Sequence, residues 1–172
     1  MSNSIDLALL LDNRFIEVNP EFLTVHWNPR YDDATVWLAI QTPVLKCLDK
    51  DHQKLSFRML DAHITLAYPS VTLWAVAGRR SVDIVSEWIV ERQQRSANGS
   101  SFYGMLEWHE NRMTHDRFTC LDIRYDMRDG LDYWLRELSR RLQAEFSQFP
   151  SRDRFHISFK NSKRTLCEFV LV

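Results

Sequence analysis

Two short segments constrain what this chain can fold into more than anything else in it. Residues 62–68 read Ala-His-Ile-Thr-Leu-Ala-Tyr and stop at Pro69, and residues 154–160 read Arg-Phe-His-Ile-Ser-Phe-Lys. Successive side chains of an extended strand point to opposite faces. His63 and Thr65 therefore leave one face of the first segment, and Ile64, Leu66 and Tyr68 leave the other. In the second, His156, Ser158 and Lys160 share a face, opposite Phe155, Ile157 and Phe159. Each strand thus buries an apolar face and shows a polar pair on its other side. The clearest helix lies just upstream of the second segment. Leu131, Trp134, Leu135, Leu138, Leu142, Phe146 and Phe149 recur at three- and four-residue steps, with charged residues between them, and Pro150 closes the run.

The rest of the chain reads as alternating strands and helices. Residues 35–42 are β-branched and apolar before Pro43, which predicts a buried strand. Leu48, Leu55 and Met59 fall on one stripe, which predicts a helix over 46–60. Val82, Val85 and Ile89 predict a second helix over 80–95, ended by Asn98-Gly99-Ser100. Residues 102–109 and 117–125 read as strands joined by a polar turn, and 165–171 as a final strand. With 172 residues, the chain is bounded to one domain or two small lobes sharing a core. Residues 1–34 read as an N-terminal extension packed on the domain, adding a strand or wrapping the surface, and residues 35–172 as the domain itself.

Charge and cysteine content remove several classes of function. Lys plus Arg is 22 and Asp plus Glu is 23, so no bulk positive charge grips a long nucleic-acid duplex. Four glycines argue against a Gly-rich phosphate loop. Cys47, Cys120 and Cys167 are far apart and show no C-x-x-C spacing, which argues against a disulfide scaffold or a zinc site. They read as small buried hydrophobes of a protein in a reducing compartment, with the cytoplasm expected. No apolar run approaches the roughly 18 residues of a membrane span. The stretch 5–11 contains Asp6 and lacks a basic flank, so it makes a poor signal peptide. A monomer is expected.

His63-Ile64-Thr65-Leu66 and His156-Ile157-Ser158-Phe159 both fit the pattern His–apolar–hydroxyl–apolar. For two histidines of six, coincidence has a probability on the order of one in a hundred. An imidazole two residues from a hydroxyl lies about 6–7 Å from it along a strand. That spacing lets both groups serve one phosphate, with a proton carrier at a bridging oxygen and a hydroxyl donor at a non-bridging one. Histidine's ordinary pKa lies nearest neutrality, so one copy can be neutral while the other is protonated. The neutral ring takes a proton from water or from a ribose 2′-hydroxyl, and the protonated ring gives one to the leaving oxygen. Each transfer contributes about 10²–10⁴ in rate. The hydroxyls of Thr65 and Ser158 would donate to the phosphoryl oxygens, where negative charge gathers. This chemistry requires no metal and no cofactor, and none is expected. Which histidine is acid and which is base stays open.

On these two motifs the chain resembles the 2H phosphoesterases, whose hallmark is a pair of His-x-Thr/Ser motifs, each on a strand. The resemblance covers residues from about 35 to 172 and includes the order of elements. It implies an α+β fold of two pseudo-symmetric lobes, with antiparallel sheets flanked by helices and an active cleft between them. It also implies that His63 and His156 are the catalytic pair and that Thr65 and Ser158 bind the phosphate. The substrate it implies is a nucleotide or RNA end, with a 2′,3′-cyclic phosphate or a 2′-5′ linkage first and cyclic or oligonucleotide signals next. A module of the same fold that binds such ends without turning them over is the alternative.

Several residues are secondary candidates. Lys160 shares the face of His156 and Ser158 and can help hold phosphate charge, as can Arg154. Trp74, in the loop expected after the first motif, can stack on a base. Trp88 and Trp134 fall in helical segments and read as core, whereas Trp27, Trp37 and Trp108 are not resolved from core packing. His109 and His115, with Glu107 and Glu110, have no metal-ligand spacing and read as a polar turn.

Overall fold

The computed structural model describes residues 2–5, 14–28, 35–41, 43–48, 51, 53–67, 74–95, 102–108, 118–124, 130–146, 154–160 and 167–171. Among the described residues, eleven strands form one antiparallel sheet: β1 (Ser2–Ile5), β2 (Arg14–Val18), β3 (Leu23–Asn28), β4 (Thr35–Ile40), β5 (Val44–Leu48), β6 (Lys54–Met59), β7 (His63–Ala67), β8 (Phe102–Trp108), β9 (Phe118–Ile123), β10 (Phe155–Lys160) and β11 (Cys167–Leu171). Two helices accompany them, α1 (Trp74–Arg95) and α2 (Leu131–Glu145). The chain is an α+β protein. The strand order is β1-β11-β6-β5-β2-β8-β9-β10-β7-β4-β3.

That order dictates a curl. Strands β2 and β3, β4 and β5, and β6 and β7 follow each other in sequence within three or four residues, yet each pair stands six positions apart in the sheet. Laid flat, six spacings would span about 29 Å, whereas three or four extended residues reach about 10–14 Å. The sheet must therefore bend back on itself. Each of the three pairs is one long strand turned at a corner, passing from one half of the sheet to the other. The corners are tied together. The N–H of Gln41 donates to the carbonyl of Phe22 at 3.0 Å, that of Ile40 to Ala62 at 3.0 Å, and that of Met59 to Pro43 at 3.0 Å. Asp61, at the β6–β7 corner, has φ 50°, in the left-handed region that aspartate tolerates better than most residues.

Alternation then separates the two faces. Ile16, Val18, Leu38, Ile40, Leu45, Phe57, Ile64, Leu66, Leu106, Leu121, Ile157 and Phe159 are buried in one core. Helix α2 adds Leu131, Trp134, Leu135, Leu138 and Leu142 to that core, and α1 adds Ile84, Val85 and Ile89. Each such fully buried chain contributes about 1.5–3 kcal/mol. Helix α2 starts hard against β8. A Cβ on Gly104 would stand 3.2 Å from Cβ of Leu131, closer than packed carbon atoms settle. The helices are joined by an Arg80–Glu145 ion pair at 3.1 Å and by the Arg141 guanidinium over the Trp88 ring at 5.7 Å. Among the described residues no helix is long and apolar enough to cross a membrane.

The helix expected over 46–60 is absent, and β5 and β6 stand in its place. The stripe of Leu48, Leu55 and Met59 coexists with a stricter period of two. Leu45, Cys47, Phe57 and Met59 are buried while Arg58 is exposed and Lys46 and Ser56 are half-buried between them. Alternation won because it supplies more buried chains per residue. The first expected boundary also moves. Residues 14–28 supply β2 and β3, and β2 lies mid-sheet between β5 and β8. The division at residue 35 would cut β3 from β4, although the two pair along six residues. Helix α1 begins at Trp74, ahead of the expected start at 80.

Candidate active site

The two motif strands, β7 and β10, are neighbours in the sheet and antiparallel, with His63 directly opposite Ser158. Residues directly opposite across a ladder point to the same face. Continued two residues along, the same register would set Thr65 against His156. Each imidazole thus faces the hydroxyl of the other motif. Directly opposed Cβ atoms lie about 4.5–5.5 Å apart, and the diagonal pair, His63 and His156, about 7–8 Å. The sequence reading set the motifs on two sheets across a cleft. The structure instead sets them side by side in one sheet, and the common face still brings the four groups together.

His63, Thr65 and His156 are half-buried. Nδ1 of His63 lies 3.2 Å from the carbonyl oxygen of Asp61. A carbonyl only accepts, so Nδ1 carries the hydrogen and donates it. In the neutral ring this leaves the lone pair on Nε2, the nitrogen positioned to take a proton. The left-handed turn at Asp61 aims that carbonyl, so the corner that bends the strand also orients the ring.

Ser158 is the most enclosed of the four, with 8% of its surface exposed. Its Oγ lies 3.2 Å from Sγ of Cys120, the residue directly opposite it on β9. When the thiol donates to Oγ, the serine keeps its own hydrogen for a phosphoryl oxygen. Cys120, expected only as a small buried hydrophobe, is buried and free, and it touches the candidate site as well. Lys160 ends β10 on the same face and is exposed, and its backbone N–H donates to the carbonyl of Leu60 at 2.8 Å. Arg154 is exposed, immediately before β10. Trp74, expected in a loop, is the first residue of α1, and its side chain lies outside the described residues. His109, Glu110, His115 and Tyr68 lie outside them too. Among the described residues no group of three or more His, Cys, Asp or Glu side chains could hold a metal ion.

Two rows of side chains cross the sheet through these strands. One runs Thr24, Ala39, His63, Ser158, Cys120. In the other, Trp37 flanks Thr65 on β4, Asp122 flanks His156 on β9, and Glu107 lies beyond Asp122 on β8. Sequence reasoning missed Trp37, Asp122 and His26, whose ring stacks on that of Trp37 at 5.4 Å between centroids. A signal for them existed. Val36, Leu38 and Ile40 alternate with Trp37 and Ala39, and Leu121 and Ile123 with Asp122, so parity alone sets these residues on the polar face. Which strands lie beside the motifs is a tertiary fact that parity does not carry.

Comparison of the chain with protein-family models, with curated proteins and with solved structures finds no match.

Proposed function

We propose that this chain is a metal-independent phosphodiesterase that cleaves a nucleotide phosphodiester by paired histidine acid–base catalysis, in the manner of a 2H phosphoesterase. One observation carries the reading: His63 lies opposite Ser158 on paired strands, which turns both motifs to a single face. Two imidazoles about 7–8 Å apart on a diagonal bracket a phosphate-sized gap, with one hydroxyl beside each. His63 offers Nε2, because Nδ1 is committed to the Asp61 carbonyl. From the motif pair the sheet runs through β7-β4-β3 on one side, where α1 packs, and through β10-β9-β8 and on into β2-β5-β6-β11-β1 on the other, while α2 packs against both β8 and β7.

The substrate is a phosphate bonded at a ribose 2′ oxygen, either a 2′,3′-cyclic phosphate end or a 2′-5′ linkage. The reading is tested with a product-resolved panel of 2′,3′-cyclic, 3′,5′-cyclic and 2′-5′-linked nucleotides. Each is assayed with and without EDTA, with the double variant His63→Ala/His156→Ala as control. Turnover that survives EDTA and vanishes in the double variant supports it. Tight binding of these ligands with no turnover selects the non-catalytic module instead, and turnover that the double variant retains refutes the histidine pair.

A further inference from the structure

The two flanks of the histidine–hydroxyl quartet are chemically unlike. On β9 the neighbours are Cys120 and Asp122, a small thiol and a carboxylate. On β4 they are Ala39 beside His63 and Trp37 beside Thr65. The sheet therefore has a low shoulder next to His63 and a tall aromatic one next to Thr65.

The indole of Trp37 is held from behind. His26, opposite it on β3, stacks on it with 22° between the ring planes. The His26 ring is fixed in turn by Thr24, whose Oγ1 lies 3.0 Å from Nε2. β3 lies on the far side of β4 from β7. The histidine therefore covers the indole face that looks away from the quartet, and the opposite face looks toward Thr65. Trp37 is half-buried although it stands on the polar side of the sheet. A phosphate centred between β7 and β10 lies about one and a half strand spacings, roughly 7 Å, from β4. That is the reach of one ribose carrying its base.

We propose that Trp37, backed by His26, is the wall on which the nucleobase of the substrate stacks, with the base on the β4 side and the phosphate over β7 and β10. This assignment rests on the phosphodiesterase reading of the quartet and adds to it an orientation and a requirement for an aromatic base. Stacking on an indole tolerates any base, because every base has a π face. The wall thus selects nucleotides over sugar phosphates without selecting among sequences. His26 makes the third layer of a histidine–indole–base stack.

The test compares a nucleoside 2′,3′-cyclic phosphate with methyl riboside 2′,3′-cyclic phosphate, which has the same reacting group and no base. Trp37→Leu keeps bulk at the position without a π face, and Trp37→Phe keeps a smaller one. Trp37→Leu should raise KM for the nucleotide about tenfold or more, with kcat nearly unchanged and the methyl riboside unaffected. Trp37→Phe should recover most of the loss. An equal effect on both substrates, or none on either, overturns the wall. If the wild-type protein turns over neither substrate, the phosphodiesterase reading has failed, and a binding measurement decides the wall by itself. The protein is labelled with 5-fluorotryptophan, and the Trp37 signal is assigned by its loss in Trp37→Phe. A shift of that signal on adding adenosine 2′-monophosphate supports the wall, and a signal that stays in place overturns it.

Discussion

Two polar clusters stand on the same face of this sheet and are built on opposite principles. On β2, β5 and β8, Glu17 is gripped from two sides. Nζ of Lys46 lies 2.8 Å from one carboxylate oxygen, and the Tyr103 hydroxyl donates to the other at 3.3 Å. The Tyr103 ring takes Phe15 edge-on at 6.0 Å and the Lys46 ammonium at 5.9 Å from its centroid. The other cluster stands on β7 and β10. It holds two imidazoles and two hydroxyls, and two of its hydrogen bonds turn outward, one from His63 to a corner carbonyl and one between Ser158 and a thiol. The first cluster satisfies its own charges and braces three strands. In the second, neighbouring groups hold the His63 ring and the Ser158 hydroxyl. Polarity on the open face of a sheet is therefore no signature of function by itself; the separating feature is which groups stand together, an ion pair braced by a phenol in one and paired imidazoles and hydroxyls in the other.

Substitutions can break this contrast. The largest effect falls on the histidines. His63→Ala and His156→Ala should each lower kcat/KM by about 10²–10⁴, while thermal melts followed by circular dichroism stay close to wild type. A variant with full turnover would remove the quartet's claim to chemistry. Next comes Ser158, through its thiol partner. Cys120→Ala removes one hydrogen bond worth about 0.5–1.5 kcal/mol. If that bond orients Ser158, kcat should fall about two- to tenfold, and Cys120→Ser should restore most of it. An effect on melting temperature alone would make Cys120 a packing residue.

The smallest effect belongs to the closed cluster. Glu17→Gln should leave turnover unchanged and cost less than about 1 kcal/mol in chemical denaturation, because the pair is partly exposed and screened. The hydrogen bond to Glu17 raises the Lys46 pKa above its ordinary value, with partial burial opposing it and the charges of Glu17 and Tyr103 adding. A raised ammonium pKa contributes stability that is complete below the unfolded-state value. That stability fades as pH climbs through the folded-state value. The difference between wild type and Glu17→Gln should accordingly be flat through neutral pH and shrink above about pH 10. A difference that grows in that range would contradict the pairing.

Strand parity made the shared faces of the candidate site legible before the fold. The period of two assigned His63 with Thr65 and His156 with Ser158 to common faces, and the leucine stripe of α2 was equally plain, because each pattern is local. What stayed hidden was set by long-range pairing. Arg14–Val18 and Leu23–Asn28 alternate as cleanly as the motif strands, but a proline corner at residues 19–22 splits them into pieces short enough to pass for an extension. The segment 46–60 satisfied two periods at once, and only the partners of β5 and β6 decided between them. Trp37 and Cys120 reached the candidate site through register with β7 and β10, which no spacing along the chain encodes. The adjacency of the motif strands stayed hidden for the same reason: the sequence carried two equivalent motifs but not the pairing that made them neighbours.

The central claim is that His63 and His156 attend one phosphate, and imidazole NMR tests it most directly. Ring signals of all six histidines are assigned by single substitution and followed while a nucleoside 2′-monophosphate is added. The account predicts that the His63 and His156 signals move together along one binding curve, with a single Kd, and that His63→Ala weakens the response of His156. Movement of only one of the two, two separate curves, or stillness in both would contradict it.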